Sequence, residues 1–224
     1  MTLSMQVLGV MPVKGRAQKS VACITRLLST SDYPLHIVAV TDEDEEAAAA
    51  ISAELTGWQG CVSLIELPLR GGYWNAVAVG AKSKPEYSHV LNLANDLLPG
   101  RQWLSRAVAA YERHFGVEPA IMGLNDGVHP GTHAGHFIAS RVLLNEWYGA
   151  DLYPYKYYTH LYGDNEIVER AHALNRFGIA PWSSLYHDHP ANGAGSDEVY
   201  ALGHSSLNAD WKMYERRKAA LWKR

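Results

Sequence analysis

Residues 6–42 read QVLGVMPVKGRAQKSVACITRLLSTSDYPLHIVAVTD. Two aliphatic, β-branched runs, Gln6 to Met11 and His36 to Val40, bracket a helical pattern over Ala17 to Leu28. Val21, Ile24, Leu27 and Leu28 recur there at helical spacing, and Asp32-Tyr33-Pro34 ends the pattern. The alternation continues outward, with strands expected at Val62 to Glu66, Val90 to Leu93 and Ala120 to Leu124. Helices are expected from about Asp44 to Leu55 and around Tyr73 to Ala81 and Trp103 to His114. Asp44, Glu45 and Glu46 open the first of these, where the helix dipole is positive, and Gly57 stops it. This is the pattern of an α/β fold, a mixed and mostly parallel sheet flanked by helices.

Beyond Leu124 the sequence is less regular and richer in Gly, His, Tyr and Trp, which predicts long functional loops. Helices are expected near Val142 to Tyr148 and Asn165 to Phe177. Asp210 to Arg224 reads as a basic amphipathic helix, with Trp211, Tyr214, Leu221 and Trp222 against Lys212, Arg216, Arg217 and Lys218. Packing by its aromatic side is the expectation, with a membrane or DNA contact as the alternative.

The chain has 224 residues, 47% of them hydrophobic, enough to bury a substantial core in one domain. Met1 to Met11 lacks a cationic segment and its apolar run stops at Pro12 and Lys14, so it reads as a strand and not a signal peptide. No stretch approaches the ~20 apolar residues of a membrane span. Cys23 and Cys61 suit a reducing compartment, and the reading is cytoplasmic. A net charge of -3 argues against a surface built to hold polyanions.

In an open α/β sheet, ligands sit beyond the carboxyl ends of the strands. Here those ends carry Pro12-Val13-Lys14-Gly15-Arg16, then Thr41-Asp42, then Asn95-Asp96. A nucleotide diphosphate needs cations and a metal, and a base and ribose need acceptors, all of which these ends supply. Taken singly, Asp42 reads equally as an N-cap and Arg16 as a surface cation.

From Val7 to about His189 the chain resembles GT-A fold glycosyltransferases close to the large inverting family 2. The resemblance begins with Met11 to Arg16 and with Asp42, the acid that in the family holds the uracil or other base. It continues through Gly71-Gly72-Tyr73-Trp74-Asn75-Ala76. Leu93 to Pro99 corresponds to the Asp-x-Asp element, with Asp96 at the acid that contacts the metal and Asn95 where another acid is usual. Gly163-Asp164-Asn165-Glu166-Ile167-Val168-Glu169-Arg170 resembles Glu-Asp-x-Glu-Leu-x-x-Arg, whose aspartate is the catalytic base. Gly163 replaces the first acid, and Gly178 follows where the family has a glycine. Leu185-Tyr186-His187-Asp188-His189-Pro190 resembles the late histidine that completes the metal site.

The resemblance implies a nucleotide-sugar half at about 1–125, an acceptor and catalytic half at about 126–209, and the helix at 210–224. It implies a nucleotide-diphosphate-sugar donor such as a UDP-sugar, and Mn2+ or Mg2+ at Asp96 and either His187 or His189; a mixed oxygen and nitrogen set favours Mn2+ over Ca2+. If the histidine segment is extended, only one of the two faces the site. Lys14 or Arg16 is expected at the phosphates, with Pro12, Gly72 and Asn95 nearby. Asp42 and Asn75 are expected at the nucleoside, and Trp74 over a ring. Asp164 is the expected base, with N-capping of its helix as the bland alternative. Asp126 and Glu166 are assigned to the acceptor. His129, His133 and His136 lie in a glycine-rich stretch with no register for zinc and read as a mobile acceptor loop. The acceptor is a saccharide or another hydroxyl-bearing molecule, with modified DNA as a less favoured option. Two rivals remain: a sugar-nucleotide-forming nucleotidyltransferase, from Lys14 to Lys19, and an inactive sugar-nucleotide-binding module, from Asn95 and Gly163.

Overall fold

The computed structural model describes residues 5–129 and 131–221, with side chains through residue 220. Its strands are β1 (Val7–Val13), β2 (Leu35–Asp42), β3 (Val62–Leu67), β4 (His89–Asn92), β5 (Leu97–Pro99), β6 (Ile121–Asn125), β7 (Phe137–Ser140) and β8 (Phe177–His187). They form one sheet in the order β3-β2-β1-β4-β7-β6-β8-β5. The β1·β2, β2·β3, β1·β4 and β6·β8 pairs are parallel, and β7 runs antiparallel between β4 and β6. The helices are α1 (Ala17–Thr30), α2 (Glu45–Glu54), α3 (Tyr73–Ser83), α4 (Trp103–Phe115), α5 (Arg141–Tyr148), α6 (Gly163–Ala173), α7 (Glu198–His204) and α8 (Leu207–Leu221).

β1 shows why a central strand reads as a continuous apolar run. Val7, Met11 and Val13 enter the core beneath α1, α2 and α4, while Leu8 and Val10 enter the one beneath α3, α5 and α6. Each such fully buried aliphatic side chain contributes about 1.5–3 kcal/mol relative to exposure.

Several expectations need correction. Asp44, not Asp42, caps α2, accepting from the Ala47 N–H at 3.0 Å. The helix expected to reach Phe177 stops at Ala173, because Asn175 takes a left-handed φ of 55° and the chain turns directly into β8. β5, β7 and α7 were not anticipated. The last helix starts at Leu207, so Asp210 lies inside it. There the Asp210 carboxylate accepts from the Thr159, His160 and Leu161 N–H groups at 3.0, 3.0 and 2.9 Å, tying the 159–161 loop to α8. Tyr214 is buried and stacks on Tyr162 at 5.3 Å, while Trp211, expected on the same packing side, is 45% exposed. Arg217 turns inward to Glu166 and Lys218 pairs with Glu169, which reduces the cationic face expected for DNA. The Trp222 and Arg224 part of that expectation, like Met1 to Ser4 of the leading segment, lies outside the described residues. No helix among the described residues is long and apolar enough to cross a membrane.

Candidate active site

The ends of β1, β2 and β8, the β4–β5 loop, residues Val128, His129, Gly135 and His136, and the segments 159–164 and 199–204 line a cavity of ≈ 320 Å³, within the range of small-molecule sites. Pro12, Lys14, Arg16, Asp42, Gly72, Trp74, Asn95, Asp96, Asp164, His187 and His189 all border it. Asn75, Asp126 and Glu166 do not.

At one end, β2 delivers Asp42, almost fully buried, whose two oxygens accept from the Gly71 and Gly72 N–H groups at 2.6 and 2.9 Å. The carboxylate therefore fixes the loop leading into α3. Gly72 has φ of 82°, and a Cβ there would sit 2.5 Å from the Thr159 carbonyl, so this close approach admits only glycine. Asn75 packs its amide against Gly71, which takes it out of the expected nucleoside contact. Trp74 borders the cavity. It is only 1% exposed, donates to the His160 carbonyl at 2.9 Å and stacks on Tyr153, so it forms the cavity floor and is not free to cover a ring.

Asp96 lies in the middle. Its Oδ2 accepts from Arg16 at 2.7 Å and from the Tyr200 hydroxyl at 2.6 Å, and its Oδ1 is 3.0 Å from His187 Nε2. Burial alone would raise its pKa, but the bonds and charges of His187, Tyr200 and Arg16 outweigh burial and hold it well below the carboxylate range. Arg16 also grips Asp197, the N-cap of α7, through two bonds of 2.5 and 2.6 Å. Asn95 donates to Ser20 Oγ at 3.0 Å, and Lys14 reaches Glu43. Both histidines border the cavity, against the expectation that one would point away, because β8 ends at His187 and strand alternation stops there. His187 meets Asp96, while His189 Nδ1 accepts from the Ala191 N–H at 3.0 Å.

At the other end stands Asp164, with its side chain 24% exposed. Tyr162 occupies the N-cap position of α6 and makes no side-chain cap, so Asp164 is not the N-cap; it lies in the first turn. His133 Nε2 approaches its Oδ2 at 3.4 Å. Burial opposes ionisation of Asp164, but His133, the Asn165 N–H and the charge of His129 together lower its pKa. A Cβ on Gly163 would enter the Trp74 indole, which explains glycine where the resemblance expects an acid. Glu166, expected at the acceptor, is 1% exposed and clasped by Arg217 at 2.6 and 2.7 Å and by the Tyr148 and Tyr158 hydroxyls. Asp126, also expected there, is fully buried. It accepts from the Val128, His129 and Gly135 N–H groups and lies 2.8 Å from His129 Nδ1. His129 and His136 of the histidine stretch border the cavity, and His133 meets Asp164.

Among the described residues no three His, Cys, Asp or Glu side chains converge as a metal site. Asp96 Oδ1 and His187 Nε2 nevertheless stand 3.0 Å apart, about the spacing of neighbouring ligands around an ion bound at ~2.1 Å. That donor set fits a divalent ion that takes its remaining oxygens from a bound diphosphate and water, as Mg2+ does in phosphate sites.

No protein-family profile and no curated relative matches the sequence. Among solved structures, the chain is similar to the mannosyltransferase PcManGT from Pyrobaculum calidifontis, in complex with GDP-Man and Mn2+ (TM-score 0.72, 15% identity, 96% of this chain and 65% of that one). It is similar to S. aureus TarS 1-349 (TM-score 0.60, 14% identity, 97% and 75% covered). It is also similar to GalNAc-T7 with UDP, GalNAc and Mn2+ (TM-score 0.68, 14% identity, 94% and 50% covered). The fold is therefore GT-A. The chain spans about two thirds of the mannosyltransferase and half of GalNAc-T7.

Proposed function

We propose that the chain is a nucleotide-sugar-dependent glycosyltransferase that inverts the anomeric centre. The observation carrying this reading is that Asp42, the Asp96–His187 pair and Asp164 border one cavity at the carboxyl ends of a GT-A sheet. The nucleoside lies against Pro12, Gly72 and the loop that Asp42 fixes. The diphosphate lies toward Arg16 and Lys14, with Asn95 beside them. Asp96 and His187 are the residues that would hold a divalent ion, Mn2+ or Mg2+, and such an ion would supply positive charge against the departing diphosphate. Asp164 faces the acceptor hydroxyl and removes its proton as the oxygen attacks the anomeric carbon on the side opposite the leaving group, through an oxocarbenium-like transition state. The three similar structures support this reading through two complexes with nucleotide or nucleotide sugar and Mn2+.

The two rivals predict different products. A nucleotidyltransferase releases pyrophosphate from NTP and sugar phosphate, and an inactive binding module binds donor with no slow hydrolysis. Gly163 no longer argues for inactivity, since Trp74 accounts for it. The test is a thermal-shift panel of nucleotide sugars with and without Mn2+, followed by detection of released nucleoside diphosphate. A shift with one donor class and slow diphosphate release is expected. A panel without any shift would overturn the reading.

A further inference from the structure

Asp126 and His129 form a pair that the reaction outlined above does not use. Asp126 has 0% side-chain exposure, and Oδ1 accepts from the Val128 and His129 N–H groups at 2.9 and 3.0 Å. Its Oδ2 accepts from the Gly135 N–H at 3.3 Å and faces His129 Nδ1 at 2.8 Å. Burial opposes its charge, but His129, the nearby His136 and the backbone amides outweigh burial and keep Asp126 ionised. A carboxylate so placed is an acceptor, so Nδ1 of His129 carries the proton. That leaves Nε2 as the basic nitrogen of a ring that borders the cavity with 29% side-chain exposure and no hydrogen bond to Nε2 among the described residues. A buried aspartate orienting Nδ1 of an imidazole, with Nε2 toward substrate, is the arrangement by which a histidine becomes a general base.

His129 is linked to Asp164 through His133, which lies 3.4 Å from the Asp164 carboxylate. Its ring packs against His133, the Asp164 partner, with centroids 4.6 Å apart, and it feels the Asp164 charge. We infer that His129, oriented by Asp126, is a second catalytic residue of the transfer, the group on which the acceptor proton comes to rest. This rests on the glycosyltransferase reading and deepens it. The acceptor O–H bond breaks, and its electron pair forms the new bond to the anomeric carbon. The bond from that carbon to the diphosphate breaks with its pair leaving on the diphosphate oxygen. The proton ends on His129 Nε2, and the imidazolium is held against Asp126. Asp164, whose affinity for a proton is lowered, orients the hydroxyl and passes on the proton, and does not retain it.

The groups that tune His129 are Asp126 on its own loop, His133 against its ring, Asp164 from α6 and His189 beyond β8. Burial lowers its pKa, but Asp126 and Asp164 raise it above the ordinary 6.5. The free base therefore appears only as pH rises through a value above 6.5, whereas the Asp164 limb lies below its ordinary 3.8. The test measures nucleoside diphosphate release from the best donor over pH 5 to 9 for the parent protein, H129Q and H129A, with donor binding followed by thermal shift. The parent kcat is expected to rise with a midpoint above about 6.5. H129Q is expected to lose about 10²-fold or more in kcat, to lose that limb and to keep its donor-induced shift. Added imidazole is expected to restore part of the rate of H129A, an outcome that a purely structural His129 would not produce. A flat parent profile from pH 5 to 8, or an H129Q rate close to the parent with donor bound, overturns the role of His129 alone. A parent protein that releases diphosphate from no donor overturns the glycosyltransferase reading and this inference with it.

Discussion

The carboxylates at the two ends of the cavity are held by different chemistry. Both oxygens of Asp42 accept from backbone amides, which keep the same charge across the working pH range. Asp126 and Asp164 instead meet imidazoles, those of His129 and His133. The Asp42 end is therefore a fixed scaffold, and the pKa of His129, raised by Asp126 and Asp164, puts pH dependence at the opposite end. Asp96 joins them, bound both to a permanent cation, Arg16, and to an imidazole, His187.

The largest expected effect separates two acids in one helix. Glu166→Ala breaks a buried pair with Arg217 and strands two tyrosine hydroxyls, so unfolding by denaturant should show a loss of about 3–5 kcal/mol. The kcat of the folded fraction should not change, since Glu166 lies outside the cavity. A large fall in kcat without loss of stability would return Glu166 to the acceptor site.

Asp96→Ala should weaken donor binding by roughly 10- to 100-fold in calorimetric titration, the effect of losing charge-assisted contacts. It should also remove any advantage of Mn2+ over Ca2+. An unchanged metal preference, or full transfer in excess chelator, breaks the link between the ends. Asp96 also sets an acid limit to stability. Its lowered native pKa contributes stability that is fully present above the ordinary 3.8 and is lost as pH falls through the native value.

Asp42→Ala should lower stability by about 1.5–3 kcal/mol, because two amides lose a charged acceptor, and should also weaken donor binding. The loss should be the same at pH 6 and pH 8 in parallel unfolding titrations. A stability identical to the parent would show that the 71–72 loop holds without it.

The alternating first half of the chain was legible because β1, β2 and β4 are largely buried on both faces and α1 and α4 are amphipathic. Less was legible where partners are distant in sequence. Asp210 sits in the first turn of α8, yet its amide donors lie 49 to 51 residues earlier, so no local pattern marks it as the anchor of the 159–161 wall. β5 has only three residues and β7 four, too few for a period to show. The local signal for α7 is Asp197 followed by Glu198, a helix start. Asn175 likewise offered a stop for α6. Of the expected site residues, those following β1, β2 and β4 reach the cavity because strand ends converge there. Glu166 failed because two positions along a helix turn a side chain by about 200°.

The most direct test of the account is Asp164→Asn, with kcat for nucleoside diphosphate release and donor affinity measured on the same preparation. The amide keeps the shape of the side chain and cannot accept the hydroxyl proton. The account predicts a kcat loss of at least about 10²-fold with donor affinity and thermal stability nearly unchanged. An Asp164→Asn protein that keeps most of its turnover with donor and acceptor bound would contradict it.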